Sequence, residues 1–296
     1  MKKRSVITAA GAIVAAGAAT FAYASLYERN RFTLRRFDVP VLASDAEPLR
    51  VLHISDLHFM PDQERKLQWV SSLAALDPDF VVVTGDNIAH PEAVSTLSAA
   101  LAPLFTFPGA FVFGSNDYYG PVAKNPFTYF NPNREHKYGA SLPTEELRRL
   151  LSGAGWVDVN NATAKVTAGG RELALAGVDD PHFDLDDYDR IAGTAPSGAD
   201  LTIGLTHSPE PRVLDQMASD GYRLLLAGHT HGGQVCVPGY GALVTNCGID
   251  RDRVKGLHRY GSSWLHVSAG LGTSPYAPMR FACPPEASVL TLTPAN

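Results

Sequence analysis

The chain has 296 residues, 45% hydrophobic and 19% charged, with three cysteines. That composition excludes a disordered, collagen-like or disulfide-framework protein and suits one large globular domain, or two small ones, with a sizeable core. The formal charge of −5 is unevenly spread: residues 1–36 hold seven Lys/Arg against one Glu, and residues 37–296 hold 18 basic against 29 acidic side chains. So acidic a body gains little from counterion release on a phosphate backbone, and nucleic-acid binding is not expected. Cys236, Cys247 and Cys283 are too scattered for a zinc ribbon and read as packing residues.

After Lys2-Lys3-Arg4 no charge appears from Ser5 to Tyr27, 23 residues that would span about 34 Å as a helix. Nine of them are Ala, which makes insertion less favourable than for a Leu-rich span. Residues 1–27 are expected as a single N-terminal membrane anchor or as a signal peptide, because Ala22-Tyr23-Ala24 before Ser25 has the small-x-small form that signal peptidase accepts. Residues 28–48 are expected as a basic linker whose Arg29, Arg31, Arg35 and Arg36 are either solvated or rest on anionic headgroups.

From residue 49 to 296 short apolar runs alternate with amphipathic stretches, the mark of a layered α/β domain. The runs predict strands over 50–54, 80–84, 110–113, 173–176, 201–205, 224–227, 264–267 and 289–292. Helices are expected over 62–76, 91–101, 144–154 and 210–219, and a long aromatic, Asn- and Pro-containing loop over 118–142.

Polar residues of one chemical kind follow five of these runs. Ser55-Asp56-Leu57-His58 follows the first and Thr84-Gly85-Asp86-Asn87 ends the second. Gly114-Ser115-Asn116-Asp117 ends the third, Thr206-His207-Ser208-Pro209 follows the fifth, and Gly228-His229-Thr230-His231-Gly232-Gly233 the sixth. Open α/β sheets build their sites at these carboxyl ends. Asp56, His58, Asp86, Asn116, His207, His229 and His231 are too many ligands for one zinc-like ion, yet they suit two ions sharing a carboxylate. Mixed imidazole and oxygen donors favour Mn, Fe or Zn over Ca or Mg. In D-x-H and H-x-H, side chains two apart on an extended segment would face the same way.

The ordered set D-x-H, G-D-N, a G-N-H-D-like element, T-H-S-P and G-H-T-H-G-G-Q resembles the calcineurin-like metallophosphoesterase superfamily, in particular its bacterial membrane-associated or exported branch, over about residues 49–292. The resemblance implies a four-layer αββα sandwich holding a dinuclear metal centre. It implies that Asp56, His58 and His231 hold one ion, that Asn116, His207 and His229 hold the other, and that Asp86 bridges them. One position departs: Asp117 stands where the family places a His that stabilises the transition state and protonates the leaving group. Asp117 is then a structural partner of a ligand, acts through a water, or is replaced in that role by His182, Tyr118 or Tyr119. A carboxylate beside two cations stays ionised and donates a proton poorly.

Asp179, Asp180 and His182 end another run, either at the site or in a turn of the kind Asp-Pro favours. Arg280 is expected to meet a carboxylate or a substrate phosphate, and His53 and His266, inside apolar strands, to be buried packing residues. The chain has no G-x-S-x-G and no Cys in a reactive setting, so a protein nucleophile is not expected. The resulting expectation is hydrolysis of a phosphate ester by hydroxide bound to two divalent metal ions. Phosphodiester or pyrophosphate substrates are preferred because a better leaving group needs less acid assistance, and a lipid or cell-envelope phosphate is suggested by the N-terminal segment. The alternative is a metal-binding scaffold that recognises phosphorylated ligands without turnover.

Overall fold

The first sheet is organised around β3 (Phe80–Thr84), which is buried at every position, the all-apolar kind of strand that sits mid-sheet with both faces covered. Around it the order is β1 (Thr33–Leu42), β14 (Glu286–Pro294), β2 (Leu49–Ile54), β3, β4 (Gly109–Val112) and β5 (Val157–Asp158). β2 to β5 run parallel, and β14 is antiparallel to β2. The second sheet has the order β12 (Gly256–Tyr260), β13 (Ser263–Val267), β9 (Leu224–Ala227), β8 (Leu201–Leu205), β7 (Arg171–Gly177) and β6 (Ala162–Ala168). β7, β8, β9 and β13 are parallel neighbours. A short hairpin joins β10 (Cys236–Val237) to β11 (Gly241–Ala242). This computed structural model describes residues 2–123 and 138–295, so most of the loop expected over 118–142 lies outside the described residues.

Alternation along each strand decides the layers. Val51, Val82 and Val112 of the first sheet meet Leu175, Ile203 and Leu226 of the second in one apolar cluster. The opposite faces carry Leu52, Ile54, Val81 and Val83, covered by α2 (Glu64–Ser72), α3 (Val94–Leu101) and α5 (Thr144–Gly153), and Leu225, Ala227 and Val267, covered by α6 (Pro211–Asp220). Helix, sheet, sheet, helix is the expected αββα arrangement. The predicted strands and helices all form, with ends moved by a few residues.

One expectation is corrected. The segment read as a linker over 28–48 contains β1, paired in parallel with β14. Its Val39, Val41 and Leu42 are buried, and Arg35 pairs with Glu286 at 3.2 Å. An outer strand has one solvated edge, which tolerates Pro40 and the charges that disguised it. α1 covers Lys2–Ala22, within the segment expected as a membrane anchor or signal peptide, and among the described residues no helix is long and apolar enough to cross a membrane. Beyond α1 the chain turns through Tyr23–Asn30 and docks on the body, where the Glu28 carboxylate accepts the Cys283 N–H at 2.7 Å and the Ala24 carbonyl accepts the Arg280 N–H at 3.1 Å.

Candidate metal centre

Both parallel stretches end on the same side, so the residues following β2, β3, β4, β7, β8 and β9 converge. Donor atoms of Asp56, His58, Asp86 and His231 all lie within 4.8 Å of one another. His58 Nε2 is 3.1 Å from His231 Nε2 and 3.4 Å from Asp86 Oδ2, and His231 Nε2 is 3.5 Å from Asp56 Oδ1. On the other side of Asp86, its Oδ1 is 3.5 Å from His207 Nε2, which is 3.3 Å from His229 Nδ1. Asn116, on the short helix α4 (Ser115–Tyr118), donates its backbone N–H to Asp86 Oδ1 at 2.6 Å and its amide N–H to Oδ2 at 2.9 Å. The seven expected ligands therefore come together around Asp86, whose Oδ2 faces His58 and whose Oδ1 faces His207.

They do not face one another for the reason the alternating pattern suggested. Asp56, His58, Asp86, His229 and His231 all have φ between 41° and 67°, so D-x-H and H-x-H are left-handed turns rather than extended segments. A non-glycine residue there costs on the order of 1–2 kcal/mol, and concentration of that strain at one cluster is typical of a functional site. Glycines let the turns close: a Cβ on Gly114 would stand 2.6 Å from Asp86 Oδ1 and the His207 ring, and one on Gly228 would collide with Ser55 Oγ.

Electrostatics suit the donors to a cation. Burial pushes His58 down to about 4 and His231 well below the usual imidazole range, which leaves lone pairs free to coordinate. Burial also opposes charge on His207, but Asp86, Asp56 and Asp180 outweigh it and raise the ring to about 9, a measure of the negative field at this position. Asp86 is lowered: burial disfavours its charge, and His207 and His58 more than compensate. His58 Nδ1 is buried without a hydrogen-bond partner. The donor chemistry thus fits transition-metal ions.

Around the donors, Asp117 takes a position the sequence left open. It is fully buried and accepts the N–H groups of Asp86 at 2.8 Å, Asn87 at 2.7 Å and Gly114 at 3.0 Å. Its carboxylate is thus turned to the backbone of the loop that carries Asp86. Asp180 caps the turn Pro181–Phe183, accepting the His182 N–H at 3.0 Å and the Ser115 hydroxyl at 2.5 Å. This turn, the plainer of the two readings for the Asp-Pro segment, also delivers His182 to the site, its ring centroid 4.5 Å from that of His229. Tyr118 donates its hydroxyl to Asp179 at 2.7 Å.

Arg280 is corrected. Among the described residues it meets carbonyls and not a carboxylate. Fully buried, it donates to the carbonyls of Ala269 at 2.8 Å, Gly270 at 3.1 Å, Gly272 at 2.7 Å and His231 at 3.0 Å. Gly272 N–H in turn donates to the Asp56 carbonyl at 2.6 Å, so one guanidinium ties both metal-ligand turns. Cys283 and Cys236 are packing residues as expected, their thiols directed at the His231 and Gly232 carbonyls. His53 and His266 are buried, their Nδ1 atoms 2.8 Å apart between the sheets.

Two contributors carry no mark in the sequence. Lys66, buried on α2, donates to the carbonyls of Leu57 at 2.5 Å and His58 at 3.2 Å, but its place in an amphipathic helix reads as solvated. The Asn246 carbonyl lies 3.2 Å from His229 Nε2, in a stretch with no local motif.

The model of the family described as calcineurin-like phosphoesterase matches residues 49–233. The chain belongs to this family. It is a metallophosphoesterase, a hydrolase of phosphoric esters, and Asp56, His58, Asp86 and His231 form a cluster that could hold a metal ion. Among similar proteins are the Bacillus subtilis protein named uncharacterized metallophosphoesterase YkuE, 26% identical over 97% of this chain and 94% of its own length, and phosphodiesterase YaeI of Escherichia coli, 27% identical over 99% of both chains. The structure of TT1561 from Thermus thermophilus covers 76% of this metallophosphoesterase and 91% of its own chain, at 15% identity and a TM-score of 0.45.

Proposed function

We propose that the chain hydrolyses phosphodiester or pyrophosphate substrates at a centre of two divalent ions drawn from Mn, Fe and Zn, and that it does so at a membrane. The observation that carries the two-ion reading is the position of Asp86, with Oδ2 3.4 Å from His58 Nε2 and Oδ1 3.5 Å from His207 Nε2. When bound, the ions would acidify a water and neutralise charge on the phosphoryl oxygens. Asp56, His58 and His231 would hold one ion, and Asn116, His207 and His229 the other.

The chain's own groups do the rest. Asp117 fixes the Asp86 backbone and does not transfer the proton. His182, beside His229, donates a proton to the departing oxygen. The name of YaeI, a phosphodiesterase, supports the diester preference.

The test is turnover of bis-p-nitrophenyl phosphate by the full chain in detergent with Mn, together with metal analysis. Hydrolysis that Asp86→Ala abolishes, with two ions per wild-type chain, is the expected result. A folded, metal-loaded chain inert toward diesters, monoesters and pyrophosphates would establish the scaffold alternative, and one ion per chain at saturation would remove the dinuclear reading.

A further inference from the structure

The large hydrophobic side chains exposed to water are not scattered. Among the described residues all but Tyr138 and Leu185 fall within residues 13–27 and 235–276. Those two stretches are joined. The Tyr23 ring stands perpendicular to Phe281 with centroids 6.3 Å apart, Phe281 bridges to Val235, and the Gln234 side chain donates to the Ala277 carbonyl at 2.9 Å. Tyr27 packs on Tyr23 at 5.3 Å, and Val237, Tyr240 and Leu243 project from the β10–β11 hairpin beside Cys236.

Basic groups are interleaved with this apolar face. Arg251 lies over the Tyr240 ring at 4.0 Å, Arg29 donates to the Pro278 carbonyl and Arg31 is exposed beside it, whereas Arg253 is held by Asp250 and the Tyr260 ring and Lys255 points at the Cys283 thiol. A contiguous exposed patch of this kind marks an interaction surface. Tyr with Val and Leu, rimmed by Arg, is the composition of a segment lying in the headgroup zone of an anionic bilayer. The face is rigidly tied to the metal centre, because the chain leaving the hairpin places the Asn246 carbonyl against His229 and the Phe281 segment carries Arg280 against His231.

We infer that residues 237–243, with Tyr276 and the Tyr23–Tyr27 turn, dip into an anionic lipid surface and hold the metal centre at headgroup depth, so that the phosphate ester it takes is one presented by the membrane. The inference rests on the proposed hydrolysis for its substrate but not for its docking surface. It requires contact with the surface only, not a spanning helix.

The full chain is mixed with vesicles of phosphatidylcholine and phosphatidylglycerol, with Trp introduced in turn as Tyr240→Trp, Leu243→Trp and, on the exposed edge strand β6, Lys165→Trp. Doxyl-labelled phosphatidylcholine is expected to quench the first two at least twice as strongly as the third. Equal quenching at all three, or failure of the chain to sediment with the vesicles, would overturn the docking surface. In a second arm, Val237→Ser, Tyr240→Ser and Leu243→Ser are combined. Turnover of soluble bis-p-nitrophenyl phosphate and the melting temperature are expected to stay unchanged, while turnover of a vesicle-embedded phosphodiester lipid falls at least tenfold. An equal fall on both substrates, or no fall, also counts against the inference. A wild-type chain inert on both substrates refutes the hydrolysis reading and leaves the quenching comparison to decide the surface.

Discussion

The carboxylate of Asp117 accepts the backbone N–H of Asp86 at 2.8 Å, with the Asn87 N–H on its other oxygen at 2.7 Å. Of the readings the sequence left open for Asp117, this geometry is that of a structural partner: the side chain holds the residue that lies between His58 and His207. Burial, then the nearby Asp86 charge, push Asp117 up to about 7. Asp117→Asn should replace one accepting oxygen with a donor that faces N–H groups. Because an unmade buried hydrogen bond costs about 1–3 kcal/mol, the variant is expected to melt lower and to bind Mn more weakly, and calorimetry with and without Mn checks both. If it binds Mn like the wild type and loses only turnover, Asp117 acts in the chemistry after all.

Arg280 supports the opposite side of the site. Its planar guanidinium reaches four carbonyls on two turns, which a point-like ammonium does not reproduce. Arg280→Lys is expected to lose about 1.5–3 kcal/mol of stability and to weaken metal affinity through His231 and Asp56, with substrate KM at saturating metal little changed. Denaturant melts and Mn titration report the two effects. A large rise in KM with normal metal binding would instead place Arg280 on the substrate.

If His182 protonates the leaving oxygen, its removal should matter in proportion to the basicity of that oxygen. His182→Gln is expected to lower kcat about 10²-fold or more for an alkyl or phenyl phosphodiester, within the usual range for general acid catalysis, and less than tenfold for a p-nitrophenyl ester. Equal losses on both would leave the ring a binding role only.

Between the sheets, His53 and His266 form a buried pair whose charging is opposed by burial, with His53 pushed down to about 3 and His266 well below the ordinary value. Such rings take up protons in the unfolded chain before the native one. Their contribution to stability is therefore complete above about pH 6.5 and is lost as the pH falls from there toward 3. Between those limits His53 adds a slope of up to about 1.4 kcal/mol per pH unit, and His266 acts in the same direction. His266→Phe should flatten the pH dependence of unfolding over that range, measured by urea melts, and an unchanged slope would show that the pair does not titrate on unfolding.

The amino-acid sequence by itself determined the layered α/β class, the strands with continuous apolar runs and the seven metal-capable side chains, because each is a local signal: hydrophobic period, and donor residues at strand ends beside glycine. It hid β1 and β6, whose outer positions let them carry charge or strict alternation without an apolar run. Tertiary structure alone decided that D-x-H and H-x-H are left-handed turns, since that backbone is held by contacts such as those of Arg280 and Lys66 from far along the chain. It likewise turned Asp117 inward and brought His182 beside His229, for a side chain's role follows from which groups compete for its hydrogen bonds, and those competitors are assembled only when the two sheets pack.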